Sequence, residues 1–550
     1  MITDHDRELI ESAAVYNAKA GVLGSRLRAF SEEASDSDED QPYSRGGQPP
    51  EAVRKFLTDL QNSVLFGNVQ AVLRLYENHP KLTDRYFKST SGPGQRWPDV
   101  TVVGEILTEK VAMLLYRDLY YRHVFDKCQT SVKFEDRKES WDNYCGVFDY
   151  VMEQIENPGS FRFHLPALWI WDIMDEFIYQ FSSYRLHVGN LMSGSKQTTN
   201  RELEIKSVKD NPDIFATHIV LRYLHRMIRV SRIHDYLKLV RDGSDPDTLP
   251  EDPSADHYDA LTSETARYFG YFAIMQLMRV HTMLGDYWLA LKTVEVLETR
   301  SPKALFYKVL GCHISLFYQT GFSYMMMRRY QDAIRAFSSL LQYRNTTRSF
   351  GQHGTAQFSE KKQEQIAYLL HLCTKLCPTP VDDSLQALVR EKPPPEDSEV
   401  AFTVSAPKFF NPAAPDFEIS DIDSRRSEPA NRQKNLFRRE LQEQSLLPQL
   451  RSYLRLYTAI PLKKLASFQE VDERTLQEML MCGKHKTWQM ERGSEPSPLS
   501  GAFKSCGDVE FQIENDVVHV TTQRQSGRKY AETFLRNIQK LEALLVRLQN

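Results

Sequence analysis

The stretch that decides the fold is FYQTGFSYMMMRRYQDAIRAFSSLL, Phe317–Leu341. It reads as two short helices joined by a tight turn. A weaker copy precedes it, from Tyr271 to Leu297, with Tyr287 and Ala290 each 43 residues before Tyr330 and Ala333. A helical hairpin repeated at that period is the signature of a stacked α-solenoid. On a tetratricopeptide-like template Gly321 and Tyr324 fall in the first helix, and Ala333 and Phe337 in the second. The small residues let the two helices approach closely, while Tyr324, Tyr330 and Phe337 fill the space around the contact. Only these two hairpins match the template well, so the solenoid is short and its template positions are core. Such architectures hold partners; they seldom turn over substrates.

Upstream, the pattern is helical from Glu51 to about Leu297. Val53, Phe56, Leu57, Leu60 and Val64 recur at three- and four-residue steps and trace one helix face. Further helices are expected at Val69–Asn78, in the block around LLYRDLYYRHVF (apolar on more than one face, hence buried), and in ESWDNYCGVFDYVMEQI. Two more are expected in PALWIWDIMDEFIYQFSSYR and NPDIFATHIVLRYLHRMIRV. Pro166 sits near a first turn. Asn190–Lys209 and Arg241–Asp259 read as polar loops. The N-terminal SEEASDSDED carries six acids and no base, the composition of a solvated tail. In it Ser35 and Ser37 stand three residues before an acid.

Downstream, Pro393–Pro395 break the helical pattern, an irregular linker is expected to about Glu428, and helix returns at Asn431–Tyr457. The last part changes character. SYLRLYTAIPLKKLASF and VDERTLQEMLMCGKHKTW give three helices, the third capped by Asp472. A polar loop follows, then two alternating strands, DVEFQIEN and DVVHVTT, with Asn515-Asp516 as the turn. Three helices and a hairpin make a winged helix. The terminal segment carries Tyr530, Phe534, Ile538, Leu541, Leu545 and Leu548 in a stripe close to a heptad seam. The fold class is therefore mostly α: a solenoid, a winged helix and a C-terminal helix.

Composition sets the outer limits. The chain has 550 residues, 41% hydrophobic and 26% charged, with a formal net charge of −4, so no overall basic field draws it onto nucleic acid. Seven scattered cysteines without framework spacing point to reduced thiols and an intracellular setting. The first residues lack a signal-peptide pattern, and no apolar run approaches the roughly 20 residues of a membrane span.

Helical repeats followed by a winged helix and a terminal helix resemble the PCI family, whose members occur in the proteasome lid, the signalosome and translation initiation factor 3. LLYRDLYYRHVF, WIWDIMDEFIYQF, LGDYW, GFSYMMMRRYQDAIRAF and LRLYTAIPLKKLASF, in that order, are similar to the subunit L family of eukaryotic translation initiation factor 3. The resemblance runs from about Phe56 to Leu548. After a disordered acidic tail at 1–50, expected from composition, it implies a helical repeat domain at 51–316, a PCI domain at 317–523 (repeats 317–448, winged helix 449–523) and a bundle helix at 524–550. It also implies a cytoplasmic, non-catalytic scaffold. Its partners would be the other subunits of that factor and the small ribosomal subunit, with initiator tRNA and mRNA recruited and neither membrane nor DNA bound. The competing reading is a PCI protein of another assembly (proteasome lid, signalosome or mRNA export), or a direct nucleic-acid binder.

A search for chemistry yields no catalytic, cofactor or metal site. No phosphate-binding loop, HExxH or paired CxxC occurs. His371, Cys373 and Cys377 lack the further ligands that a structural zinc site needs. Asp172, Asp175 and Glu176 share a helix face without a nearby nucleophile, beside Trp169 and Trp171, and read as a solvated or salt-bridged face. The helix expected to enter a DNA groove is acidic in its first half. Weak candidates for RNA contact are Lys484 and Lys486, with Lys463, Lys464, Arg328 and Arg329 behind them. The favoured partner-binding residues are the stripe Tyr530, Phe534, Ile538, Leu541, Leu545 and Leu548. Val518 and Val520 join them as a sheet edge open to a neighbouring winged helix.

Overall fold

The computed structural model describes residues 49–522, apart from 88–94, 129–131, 157–163, 193–200, 243–262, 299–303, 350–359, 378–382, 392, 414–421, 445–446, 494–496 and 508, and beyond them 534, 535, 537, 538 and 541. Contacts divide the chain into two units. The first comprises Met1–Thr374, Thr379–Asn435 and Arg492–Gly501; the second comprises Lys375–Pro378, Leu436–Glu491 and Ala502–Asn550. This division does not fall at the 316/317 boundary expected from the family resemblance. The acidic tail, with Ser35 and Ser37, lies outside the described residues.

The first unit is a stack of helices: α1 (Glu51–Leu65), α2 (Val69–Tyr86), α3 (Val100–Val103), α4 (Lys110–Lys127), α5 (Phe134–Glu156), α6 (Ala167–Met192), α7 (Arg201–Asp210), α8 (Thr217–Val230), α9 (Ile233–Arg241), α10 (Glu264–Leu284), α11 (Tyr287–Thr293), α12 (Leu310–Met326) and α13 (Tyr330–Ser349). Then come α14 (Glu360–Leu376), α15 (Asp383–Glu391), α16 (Ser398–Ser405) and α17 (Ile422–Gln444), of which the residues from Leu436 on belong to the second unit. In α1 the buried residues are Val53, Phe56, Leu57, Leu60 and Val64, the face read from the periodicity. α4 is buried all round, as its apolar residues on several faces require. One continuous core runs from Val53 through the aromatic residues of α4–α6 and α10 to Leu316, Tyr343 and Phe410.

Two segments read as irregular turn out helical. Arg201–Asp210 is α7, with Glu202 and Glu204 in its first turn and Lys209 in its last, a charge order that favours a helix even though only Val208 is buried. Within the expected linker, Ser398–Ser405 is helical with Asp397 as its N-cap, and α17 starts at Ile422 with Pro429 inside it.

The template hairpin is α12–α13. Its second helix follows an abrupt turn at Arg328, whose φ is 62°. A Cβ added at Gly321 would lie 2.6 Å from Phe337 Cε1, so glycine sets how closely the two helices approach. Ala333 and Phe337 are wholly buried.

The second unit holds α18 (Leu447–Leu456), β1 (Ala459–Pro461), α19 (Leu462–Gln469), α20 (Glu473–Thr487), β2 (Trp488–Glu491), β3 (Ala502–Ser505), β4 (Val509–Glu514) and β5 (Val517–Thr522). This is the expected winged helix, enlarged by β1 and a second hairpin, β2–β3. Asp472 caps α20 through the Thr475 amide at 3.1 Å. Leu450, Leu454, Ile460, Leu465, Leu476, Leu480, Phe511 and Val518 form its core.

Candidate interaction surfaces

The sheet answers the sequence-based expectation of an open edge at Val518 and Val520. β4 and β5 pair in antiparallel register, Val509↔Thr522 to Glu514↔Val517, around the Asn515-Asp516 turn. Both turn residues have positive φ, 49° and 60°, as a two-residue hairpin turn matched to strand twist demands. On its other side β5 pairs with β1, Ala459↔His519 to Pro461↔Val517, and the Val520 amide donates to Thr458 O at 2.8 Å. β5 is therefore the central strand. Val518 is 0% exposed and Val520 packs partly buried against the same core. These two residues hold the winged helix together and offer no edge.

The basic end of α20 is likewise engaged. Lys484 Nζ donates to Phe511 O at 2.9 Å. Lys486 is buried, and its ammonium lies between two carboxylates of α17, Glu440 and, at 2.5 Å, Glu443. Lys463 and Lys464 on α19 are exposed, and Lys464 Nζ lies 5.7 Å from the centre of the Tyr457 ring.

Two apolar surfaces in the second unit face solvent. At the terminal stripe, Phe534, Ile538 and Leu541 are helical and 65%, 50% and 60% exposed, with Leu535 exposed beside them. Tyr530, Leu545 and Leu548 lie outside the described residues. The other surface was missed in the sequence. On one face of β2–β3, Trp488, Met490 and Phe503 are all exposed; Met490 stands opposite Phe503, and the Trp488 and Phe503 rings are 5.6 Å apart. The alternation Trp-Gln-Met-Glu was the available signal, since Gln489 between the two apolar residues is buried.

In the first unit the hairpin turn holds a later segment of its own chain. Arg329 Nη1 donates to Pro498 O (3.0 Å) and Leu499 O (3.1 Å), and Nη2 donates to Ser500 O (2.9 Å). Tyr324 OH adds a bond to Pro498 O at 2.8 Å. Asp332 accepts from the Arg492 amide at 3.1 Å, and Ser497 Oγ donates to Glu295 Oε1 at 2.6 Å. Arg329, a weak candidate for RNA contact in the sequence, is instead a buried clasp on three successive carbonyls.

The carboxylates of α6 are also structural: Asp172, Asp175 and Glu176 are part-buried, and the first two are salt-bridged, to Arg122 and Arg279. Arg122, within α4, donates to Tyr76 OH (2.7 Å) and pairs with Asp118 (2.9 Å). Tyr76 OH donates to Asp172, and Trp169 Nε1 donates to Asp118 Oδ2 at 2.9 Å. Asp175 pairs with Arg279 at 2.5 Å. Gln180 Nε2 donates to Glu176 Oε1 at 3.0 Å, and Ser140 Oγ donates to Gln180 Oε1 at 2.6 Å. Burial pushes the Glu176 carboxyl up to about 7, despite the Gln180 bond. Burial likewise raises Asp172. Each acid is held by a neighbour and none faces an activated nucleophile, so the arrangement is a polar core. Cys373 and Cys377 are buried, and no cluster of three or more possible metal ligands occurs among the described residues. No described helix is long and apolar enough to cross a membrane.

Comparison with known proteins places the chain in a family. The relative from Nematostella vectensis, named eukaryotic translation initiation factor 3 subunit L, is 34% identical over 514 residues, covering 91% of this chain and 93% of its own. The chain belongs to the eukaryotic translation initiation factor 3 subunit L family. The proteins of that name from Bos taurus and Homo sapiens are each 34% identical over 484 residues, covering 86% of this chain and 82% of theirs. Residues 136–541 also match the family described as RNA polymerase I-associated factor PAF67. That matched range, residues 136–541, takes in the β2–β3 hairpin and the loop seated on Arg329.

Proposed function

We propose that this chain is a non-catalytic scaffold subunit of the translation initiation factor 3 complex. In this role it supports preinitiation complex assembly on the small ribosomal subunit and the recruitment of initiator tRNA and mRNA in the cytoplasm. The observation that carries the reading is the solvent-facing stripe at Phe534, Ile538 and Leu541 in a chain of the subunit L family. A row of large apolar side chains at helical spacing is costly in water and is stabilised by a partner helix, at about 1.5–3 kcal/mol per side chain before ordering costs. Other subunits with terminal helices of the same kind are the partners proposed for it. The part-buried, neighbour-bound state of Asp172, Asp175 and Glu176 supports the non-catalytic part of the reading.

The test is purification of the native, tagged chain at physiological salt, followed by mass spectrometry. Recovery with the remaining subunits of the factor and with 40S particles is expected. Recovery as a free monomer would refute the proposal.

A further inference from the structure

Residues 497–501 are irregular in structure and are held almost wholly through their main chain. Arg329 and Tyr324 bind the carbonyls of Pro498, Leu499 and Ser500. The Ser497 hydroxyl reaches the solenoid through its side chain, donating to Glu295 at 2.6 Å, and accepts from the Leu499 amide at 3.3 Å. Glu295 is in turn paired with Lys292, and that pairing together with the Ser497 bond holds its carboxyl below the usual range. Glu295 is therefore an anion at neutral pH, and the hydroxyl is the proton that makes the contact attractive.

Ser497 is followed by Pro498, the dipeptide that proline-directed protein kinases accept in extended, loop-like substrates. Two other such pairs in the chain, Ser301-Pro302 and Thr379-Pro380, lie outside the described residues. We infer that Ser497 is a phosphorylation site whose modification releases the loop at 497–501 from the α12–α13 hairpin. In the transfer, Ser497 Oγ attacks the γ-phosphorus of ATP. The new O–P bond forms as the bond to the leaving ADP breaks, and the hydroxyl proton passes to the kinase's base.

The product has no proton to give Glu295. A group of charge about −1.5 to −2 then stands where a donor stood, against a carboxylate whose neighbouring ammonium is already engaged. The part-buried position leaves little room for three added oxygens. Because Pro498 is buried in the docked loop, the kinase acts on the transiently opened form, and the phosphate then keeps that form open. Release uncovers the Arg329 guanidinium and the Tyr324 hydroxyl, whose four hydrogen bonds to three main-chain carbonyls are of a kind that any extended peptide can remake.

The experiment uses the full chain, a purified proline-directed kinase with MgATP, site mapping by mass spectrometry, and amide exchange. Phosphate is expected on Ser497 in the unmodified sequence and absent from that position in Ser497→Ala. The Leu499, Ser500 and Gly501 amides should exchange about tenfold faster after phosphorylation. Ser497→Ala tests the lost hydrogen bond alone and should show a smaller rise. Glu295→Gln, which removes the repelling charge, should restore part of the protection to the phosphorylated chain. Failure to label Ser497, or labelling with unchanged or increased protection of 499–501, overturns the inference.

Discussion

The guanidinium of Arg329 and the carboxylate of Asp332 meet at 2.7 Å with side-chain exposures of only 5% and 2%. Burial alone pushes the Asp332 carboxyl up, and Arg329, the Arg492 amide and Arg335 pull against it. Such a pair is costly to break because the surviving partner is left charged and desolvated. Arg329→Ala should therefore destabilise the first unit by about 3–5 kcal/mol, read as a shift in the denaturant midpoint. A double substitution, Arg329→Met with Asp332→Leu, should cost less than the single one. If the single and double variants unfold at the same midpoint, the pair is not the cause.

Gly321→Ala sets two effects of known size against each other. Alanine favours a helix over glycine by about 1 kcal/mol. Its Cβ would stand 2.6 Å from the ring of Phe337, which is wholly buried and cannot swing away. Overpacking of that kind costs about 1–3 kcal/mol, so a net loss of stability is expected. Phe337→Leu added to Gly321→Ala should recover part of it. A stabilised Gly321→Ala single variant would show that the helices can move apart.

The hairpin was legible because its close approach is written in side chains: a glycine, an alanine and a phenylalanine at fixed spacing. The residues that fill the Arg329 clasp were not legible, since the contacts of Pro498, Leu499 and Ser500 are main-chain carbonyls, which every sequence has. The same holds for β1. Three residues, Ala459–Pro461, have no periodicity to read, yet their pairing turns β5 from an edge into a central strand and moves Val518 into the core. β2 was hidden because it leaves α20 without a turn residue between them and finds its partner only across the polar loop. Lys486 looked available on charge alone. Its two carboxylates come from α17, 46 and 43 positions earlier, a pairing that only the fold creates. Phe534, Ile538 and Leu541 are helical, as their three- and four-residue spacing implies, because that signal is local to the sequence.

Glu176 gives a pH dependence whose sign is fixed. Its carboxyl is raised from 4.5 to about 7 in the folded chain, so the folded state holds its proton more tightly than the unfolded state. That contribution is fully present below pH 4.5 and is lost as pH rises through about 7. Glu176→Gln keeps an oxygen for the Gln180 amide and removes the buried charge. The variant should be more stable than the parent at pH 8, by on the order of 2 kcal/mol after allowance for solvent screening. The gap should close by pH 5. Thermal denaturation at the two pH values measures it, and a gap that widens toward acid would contradict the assignment.

Lys486→Ala should unfold the second unit more readily while leaving the first unaffected, because it removes the ammonium held between the Glu440 and Glu443 carboxylates. A loss of about 3–5 kcal/mol is expected, as for a broken buried pair. Lys463→Ala, at an exposed position, should stay within about 0.5 kcal/mol of the parent. A charge reversal at Lys486 is thus an unsuitable probe of RNA contact, since lost binding would report lost structure. Circular dichroism melts of the two variants separate these effects, and equal melts would place Lys486 in solvent.

The terminal stripe separates assembly from stability. Phe534, Ile538 and Leu541 are already in water in the isolated chain. Replacing all three with serine should leave its melting curve within about 0.5 kcal/mol per site of the parent. In the complex the same side chains would be covered, and each contributes about 1.5–3 kcal/mol of transfer energy, offset in part by ordering of the helix. A net loss near 3 kcal/mol corresponds to about a hundredfold weaker association. The triple variant should therefore fold normally, fail to co-purify with its partner subunits, and compete poorly with the wild-type chain for incorporation. Trp488→Ser with Phe503→Ser, on the other exposed apolar surface, is the matched comparison: it removes similar area without touching the stripe. If that pair abolishes incorporation and the triple variant does not, the interface lies on the β2–β3 hairpin and the terminal helix is dispensable.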